Sequence, residues 1–346
     1  NGCTVDFGRY IFNPMPCAMT MPKVLHIGPC DSPGGMANVM KILAEHPAEG
    51  WEAELLASHV VGSPWAKWRA YRKARSTLIR TLNDPTQRPD VVHLHTAADW
   101  SWWRKRRFAL LAHAAGCKVV VHIHSGKFDQ WLGDSNSKRS ISFRTFTEKI
   151  GAKTVVLSND WKERLDPRIG LTYVVNNPIP EVLTVPIHQR DRHHLLLLGR
   201  NDSVKGHDFA ACVAAELMSD FPNLKLTMTG KESSTHTWMS ARGWVDEDEK
   251  IYLLQKASIL LVPSTFEGQP LVVLESLACG LPVIVSDMVP TGDLPVGKAR
   301  YQDSDAWKKA IQGVFDSPPD SLQLKESVDQ YRITQVTKMW LEVYTR

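Results

Sequence analysis

The chain has 346 residues, more than one hydrophobic core usually organises, so two domains are expected. Its composition, 43% hydrophobic and 23% charged, is that of a globular protein and excludes disordered, collagen-like and coiled-coil classes. The formal net charge is only +4, and no run approaches the roughly 18 apolar residues of a membrane span.

In chain order, Asn1 to Thr20 lack both a basic start and a long apolar run. This stretch reads as an upstream extension (residues 1–20), not a signal peptide. The six cysteines, Cys3, Cys17, Cys30, Cys117, Cys212 and Cys279, form no C-x-x-C pair, so reduced thiols and a cytoplasmic location are expected. Lys23-Val-Leu-His-Ile-Gly28 reads as a buried strand entering a loop, followed by Gly34-Gly35 and a helical pattern over Met36–Leu43. Further strands are expected at Glu54–Ala57, Val91–Leu94, Lys118–His124, Thr154–Leu157 and Thr172–Val175. Helices separate them near Trp65–Leu82, Trp100–Ala115 and Ser140–Ile150. After a proline-broken linker, Asn177-Pro-Ile-Pro180, the pattern restarts at His194-Leu-Leu-Leu-Leu-Gly199. A helix (Gly206–Met218), a strand (Leu224–Thr229) and a helix (Asp246–Ala257) follow, then strands at Ile259–Val262 and Pro282–Ser286. The expected fold is therefore α/β with two doubly wound, Rossmann-like domains, 21–180 and 181–330. An amphipathic helix within 331–346 closes the chain and is expected to pack back on the first domain.

The most informative segment is Pro263-Ser-Thr-Phe-Glu267-Gly-Gln-Pro-Leu-Val-Val-Leu-Glu275-Ser-Leu-Ala-Cys-Gly280-Leu-Pro282. Pro270 suits a helix start, and Gly280 with Pro282 suits its end. Glu267 then lies in the preceding loop, and Glu275 lies on a buried helix face where it needs hydrogen-bond donors. Ribose hydroxyls of a ligand or a neighbouring cation would both serve. The free amides of Gly268, Gln269 and Leu271 at the helix start suit an anion. In Gly199-Arg200-Asn-Asp-Ser-Val-Lys205-Gly206, two cations follow a buried strand, as a diphosphate site or a solvated basic loop would require.

Together these segments resemble glycosyltransferase family 4, retaining enzymes of the GT-B fold. The E-x7-E element of that family corresponds to Glu267 and Glu275, and its G-R-x(n)-K-G element to Gly199-Arg200 and Lys205-Gly206. Its glycine loop corresponds to Gly34-Gly35, and its interdomain N-P-I motif to Asn177-Pro178-Ile179. The resemblance implies a nucleoside-diphosphate sugar as donor, UDP-sugar favoured, held between two domains that face each other across a cleft. Arg200 and Lys205 would neutralise the diphosphate, Glu275 would bind the ribose and Glu267 the hydroxyls of the transferring sugar. The segment Gly268, Gln269, Pro270 and Leu271 would hold sugar and phosphate through the amides of Gly268, Gln269 and Leu271, and Gly35 would let backbone approach the phosphate from the other domain. Transfer would be front-face, with retained anomeric configuration, to a glycan or lipid-linked acceptor. No bound cofactor and no essential metal are expected.

His122 and His124 alternate onto one face at the end of a strand. The resemblance assigns His124 to the donor sugar; His122 reads as a core histidine, as does His93, while His95 on the same strand stays open between site and core. A zinc pair is the other reading, but His-x-His without a nearby third ligand is weak. Asp246-Glu-Asp248 could mimic a metal motif, yet suits a helix cap better.

The small net charge hides an asymmetry. Residues 21–180 carry 23 Lys and Arg against 14 Asp and Glu, whereas residues 181–346 carry 17 against 22. Two aromatic, basic stretches contribute: Trp65, Lys67, Trp68 and Arg69, continuing to Arg80, and Trp102, Trp103, Arg104, Lys105, Arg106 and Arg107. They suit an anionic membrane surface beside an acceptor, ahead of a solvated face with tryptophans turned inward; nucleic acid ranks last and is not expected. The location expected is cytoplasmic, peripheral on the cytoplasmic membrane face. Competing functions are a nucleotide-sugar 2-epimerase of the same fold and a non-catalytic partner subunit. A dehydrogenase is disfavoured because no strand leads into G-x-G-x-x-G.

Overall fold

The computed structural model describes residues 21–181, 190–234 and 236–346. The 1–20 extension and the segment 182–189 that leads into the second domain lie outside them. The N-terminal unit runs β1 (Lys23–Gly28), α1 (Gly35–Glu45), β2 (Glu52–Ala57), α2 (Pro64–Asn83), β3 (Val91–Thr96) and α3 (Trp100–Ala114). It continues with β4 (Lys118–Ile123), α4 (Phe128–Leu132), α5 (Lys138–Lys149), β5 (Lys153–Val156), α6 (Asn159–Ile169) and β6 (Thr172–Val174). The second unit runs β7 (His194–Leu197), α7 (His207–Leu217), β8 (Lys225–Met228), β9 (Met239–Ala241), α8 (Glu247–Lys256) and β10 (Ile259–Val262). Then come α9 (Leu271–Ala278), β11 (Val283–Ser286), β12 (Gly297–Ala299), α10 (Ser304–Asp316), α11 (Ser321–Glu326) and α12 (Ile333–Thr345).

Both sheets are six-stranded and parallel, in the orders β2-β1-β3-β4-β5-β6 and β12-β11-β10-β7-β8-β9. Each order reverses once, between β1 and β3 and between β7 and β10, and open sheets bind ligands beyond the carboxyl ends of strands at such points. The central strands are short and buried on both faces because helices cover both faces. In the N-terminal sheet, Leu25, Ile27, Val92, Leu94, Val119 and Val121 face α2, α3, α5 and α6. The opposite parity, Val24, Val91 and Val120, faces α1 and α12. In the second sheet, α8, α9 and α11 cover one face and α7 and α10 the other.

Local chemistry sets the boundaries. Ser63 accepts from Ala66 N with Pro64 opening α2, and Ser158 and Asp246 cap α6 and α8 through their side chains. The Asp246-Glu-Asp248 acids thus begin a helix and complement its dipole. Six elements escape the sequence pattern: α6 contains Pro167 and is largely polar, α4 has five residues, the edge strands β9 and β12 have three each, and the helices α10 and α11 lie between the last expected strand and the closing helix.

The chain crosses between the units twice, side by side. Ile179 N donates to Tyr331 O at 2.8 Å and Ile333 N to Ile179 O at 3.0 Å. Beyond that crossing α12 lies on the N-terminal sheet. Trp340 is buried against His93 at 4.4 Å and stacks on Tyr344. Lys118 and Lys153 donate to the carbonyls of Val343, Tyr344 and Thr345, where the helix presents its negative end. No described helix is long and apolar enough to cross a membrane. Trp340→Ala is expected to cost about 3–5 kcal/mol of stability, read as a shifted midpoint in urea unfolding.

Candidate functional site between the two domains

The reversal point of the second sheet gathers the residues that the sequence singled out there. Beyond β7 the chain passes Gly199 and Arg200, makes a 3-10 turn over Ser203–Lys205 and enters α7 through Gly206. Gly206 has φ +73°, and a Cβ there would lie 2.8 Å from Pro263 O, so only glycine lets the two loops approach. Beyond β10 the chain passes Pro263 to Pro270 into α9. The two loops are joined by an ion pair, Lys205 Nζ to Glu267 Oε1 at 2.6 Å. The Arg200 side chain is exposed, with no hydrogen bond or ion pair among the described residues, while its carbonyl accepts from Asp202 N at 2.8 Å.

Glu275 is buried on α9, and Lys250 Nζ from α8 donates to its Oε1 at 2.7 Å. The neighbouring cation that the sequence reading left open is therefore present. Lys250 also pairs with Glu247 at 2.7 Å, and Asn38 of α1 donates to Glu247 Oε1 at 3.2 Å across the cleft. Burial raises the Glu275 pKa, with Lys250 opposing it. Burial would lower Lys250, but Glu275 and Glu247 outweigh it and hold the ammonium above its ordinary value. The second oxygen of Glu275 has no hydrogen-bond partner among the described residues.

The domains meet along the loop that carries Glu267. A Cβ on Gly126 would lie 2.5 Å from the Glu267 backbone, and one on Gly268 would lie 2.4 Å from His124 O. Trp161 Nε1 donates to Gly268 O at 2.6 Å, Asn177 N to Gln269 Oε1 at 2.6 Å and Asn177 Nδ2 to Gln269 O at 3.0 Å. Lys127 lies over the Phe266 ring at 4.1 Å. Leu271 faces Gly35, which opens α1 directly after Gly34 at φ +139°. Gly34, Gly35 and His124 thus stand opposite Glu267 to Leu271, with Pro270 buried at the start of α9.

Behind His124 lies a feature that the sequence reading saw only in part. Parallel register sets His26 beside His93 and His95 beside His122. With His124 these rings share the α1 and α12 face of the sheet. His26 Nδ1 and His95 Nε2 are 3.0 Å apart, as are His95 Nδ1 and His124 Nε2. His93 Nε2 meets His122 Nδ1 at 3.2 Å, and His93 Nδ1 meets the Tyr344 hydroxyl at 2.9 Å. His122 is thus a core histidine, satisfied by another imidazole at Nδ1, with Nε2 buried and unpartnered. Burial pulls the pKa of His26 and His124 down to about 3, and burial plus neighbouring imidazoles hold His93, His95 and His122 well below the usual value.

The basic aromatic surface needs correction at two positions. Trp102 and Lys105 are buried, because Trp102, Lys105, Phe108, Ala109 and Ala112 form the core-facing stripe of α3. Trp102 packs on Phe143 at 4.4 Å, and Lys105 donates to Ser58 Oγ at 2.7 Å. Burial and the adjacent Arg104 lower the Lys105 ammonium to about 7. Trp65, Trp68, Trp103, Arg69, Arg106 and Arg107 are exposed, and Lys67 and Arg104 are half-buried. Trp65 and Trp68 stack at 4.6 Å, and Arg107 covers Trp103 at 3.2 Å. Exposed Trp100, with which the second of these stretches opens, extends this surface.

Two facing, doubly wound domains with this strand order constitute the GT-B fold. Residues 192–316, within the second unit, match the family described as Glycosyl transferases group 1. The chain is 24% identical over 281 residues to glycogen synthase of Mycobacterium tuberculosis, an alignment that covers 73% of this chain and 66%, just under two thirds, of that synthase. Among solved structures it resembles sucrose-phosphate synthase from Thermosynechococcus elongatus, with a TM-score of 0.69 and 15% identity over 93% of this chain and 98% of that one. It also resembles the pneumococcal O-GlcNAc transferase GtfA, solved with UDP and GlcNAc, with a TM-score of 0.63 and 15% identity over 78% and 59% of the two chains.

Lys250, Asn38, Trp161 and His26 were not singled out as site residues by sequence, and His95 was left open between site and core. Strand alternation places His26 and His95 on a face, but only the register brings them together. The histidine cluster predicts acid sensitivity. His26 and His124 are held at about 3 and the other three rings well below the ordinary value of about 6.5, so the unfolded chain binds more protons below that value. Stability is therefore full above about pH 6.5 and falls as pH drops towards 3, by about 1.4 kcal/mol per pH unit for each ring. Urea unfolding between pH 7.5 and 5 should show this slope, and His26→Phe should reduce it by close to one proton.

Proposed function

We propose that the protein is a retaining glycosyltransferase that moves a sugar from a nucleoside-diphosphate sugar, UDP-sugar favoured, to a glycan or lipid-linked acceptor in surface polysaccharide or glycolipid synthesis. The observation that carries this reading is the convergence of Arg200, Lys205 and Glu267 at the reversal point of the second sheet, facing Gly34, Gly35 and His124. Arg200 is free to meet a diphosphate. Lys205 can exchange Glu267 for phosphate oxygens and stabilise the leaving nucleotide. Glu267, so released, accepts from hydroxyls of the transferring sugar.

Glu275 keeps one oxygen on Lys250 and offers the other to the ribose, so the ion pair orients the carboxylate instead of competing for it. The backbone of Gly268, Gln269, Pro270 and Leu271 closes the sugar and phosphate side, while His124 faces the sugar from the other domain. Neither glutamate is a covalent nucleophile in this reading. Catalysis comes from positioning and from neutralising the leaving group, with no resident cofactor and no essential metal.

Trp65, Trp68 and Trp103, with Arg69 and Arg107, are exposed near the N-terminal ends of α2 and α3. In a parallel sheet those ends lie on the cleft side. Aromatic and basic side chains so placed suit the headgroup layer of an anionic membrane, which would put a lipid-linked acceptor at the cleft mouth on the cytoplasmic face.

The first test is a thermal-shift panel of UDP, GDP and ADP with their sugar conjugates. One base should stabilise the wild type, and Arg200→Ala should weaken that nucleotide roughly tenfold or more. Glu275→Ala should weaken nucleotide binding, whereas Glu267→Ala should depress turnover with a smaller effect on free nucleotide. Wild-type transfer by both glutamate variants would overturn the assignment. For the surface, replacing Arg69 and Arg107 by alanine should cost about 2 kcal/mol, roughly thirtyfold, in binding anionic vesicles. It should leave nucleotide affinity intact, and unchanged vesicle binding would remove the membrane from the reading.

A further inference from the structure

The histidine cluster answers the objection that His-x-His lacks a third ligand. The missing partner comes from the neighbouring strand: His95, His122 and His124 each bring one ring nitrogen to within 4.8 Å of the other two. We propose that His95, His122 and His124 form a binding site for one divalent transition-metal ion of the zinc class, at the carboxyl edge of the N-terminal sheet.

One set of neutral tautomers accounts for the outer contacts and presents three lone pairs to a cation, which would replace the proton shared by His95 Nδ1 and His124 Nε2. His93 Nδ1–H donates to the Tyr344 oxygen, and His122 Nδ1–H donates to His93 Nε2. That leaves the buried, unpartnered Nε2 of His122 as a lone pair. His95 Nε2–H donates to His26 Nδ1, which frees His95 Nδ1, and with its proton on Nδ1 His124 offers Nε2. Those last two nitrogens are 3.0 Å apart. Two imidazole nitrogens on one tetrahedral zinc stand about 3.3 Å apart, given metal–nitrogen bonds of roughly 2.0–2.1 Å.

The outer contacts are those of a built site. A ligating histidine usually has its second nitrogen held by another group, which fixes tautomer and ring plane. Here His93, itself anchored on Tyr344, holds His122, and His26 holds His95. Three neutral imidazoles with no carboxylate favour zinc, cobalt, nickel or copper over magnesium or calcium. His95 and His122 are fully buried, whereas His124 is partly exposed and gives the entry path from the cleft. A water-derived hydroxide or another small anion entering there would complete four-coordination and offset the charge. Because His124 belongs to both sites, occupancy would withdraw it from a donor sugar. That consequence rests on the transferase reading, but the metal site does not.

The test uses the untagged full chain and reads binding, not transfer. Equilibrium dialysis should give one zinc ion per chain, and cobalt should give the intense visible spectrum of tetrahedral coordination. His122→Ala should lose at least a hundredfold in affinity. His93→Phe, which removes an outer partner only, should weaken binding about 10–100-fold. His113→Ala, at an exposed histidine elsewhere, should bind as wild type. Absence of stoichiometric binding, or wild-type binding by a folded His122→Ala, would overturn the proposal. Should His122→Ala fail to fold, the wild-type cobalt spectrum decides, since a weak octahedral spectrum of oxygen ligands overturns it equally.

Discussion

Everything at the site depends on backbone meeting backbone between the two domains. Gly126 lies against Glu267 and Gly268 against His124, so close that a methyl group on either glycine would overlap the other chain. Carbonyls and amides from opposite domains must pair there or remain costly, and the Trp161 and Asn177 bonds to Gly268 and Gln269 supply part of that pairing. Side chains from the two sheets can share one small volume because nothing bulkier than hydrogen separates the loops that carry them.

Within that volume, charges are held in pairs. Lys205 and Glu267 neutralise each other at a half-open position, while Lys250 ties buried Glu275 to Glu247 and, through Asn38, to the opposite domain. A lone buried carboxylate would take up a proton or unfold its surroundings, so the pairs stabilise the folded cleft. The arrangement also grades the proposed donor site. Arg200 is available at once, whereas Lys205 must leave a partner, which favours ligands that return a donor to Glu267.

The sequence was most legible where punctuation and periodicity agree. Pro270 and Gly280 bracket α9, so the positions of Glu267 before it and Glu275 within it followed without coordinates. The strand runs entering Gly28 and Gly199 likewise announced two similar units. Legibility failed where the pattern is short or where neighbours come from another strand. Three-residue edge strands carry too little alternation to read, and Pro167 disguises α6. Lys105 misled because four consecutive cations look solvated, although one of them falls on the helix stripe set by Trp102, Phe108 and Ala109. His95 and His122 are 27 positions apart in sequence yet side by side in the sheet, a relation held by register alone.

The double crossing between the domains bears on how the cleft can open. A single connecting strand is a swivel, free to flex and to twist about its own length. Here Ile179 is bonded on both sides to the returning chain at Tyr331 and Ile333, which makes a two-stranded ribbon. Two crossings bonded to each other resist torsion more than a single strand does, so the domains have less freedom to twist against one another. The residues that face each other across the cleft are thereby held in one rotational alignment.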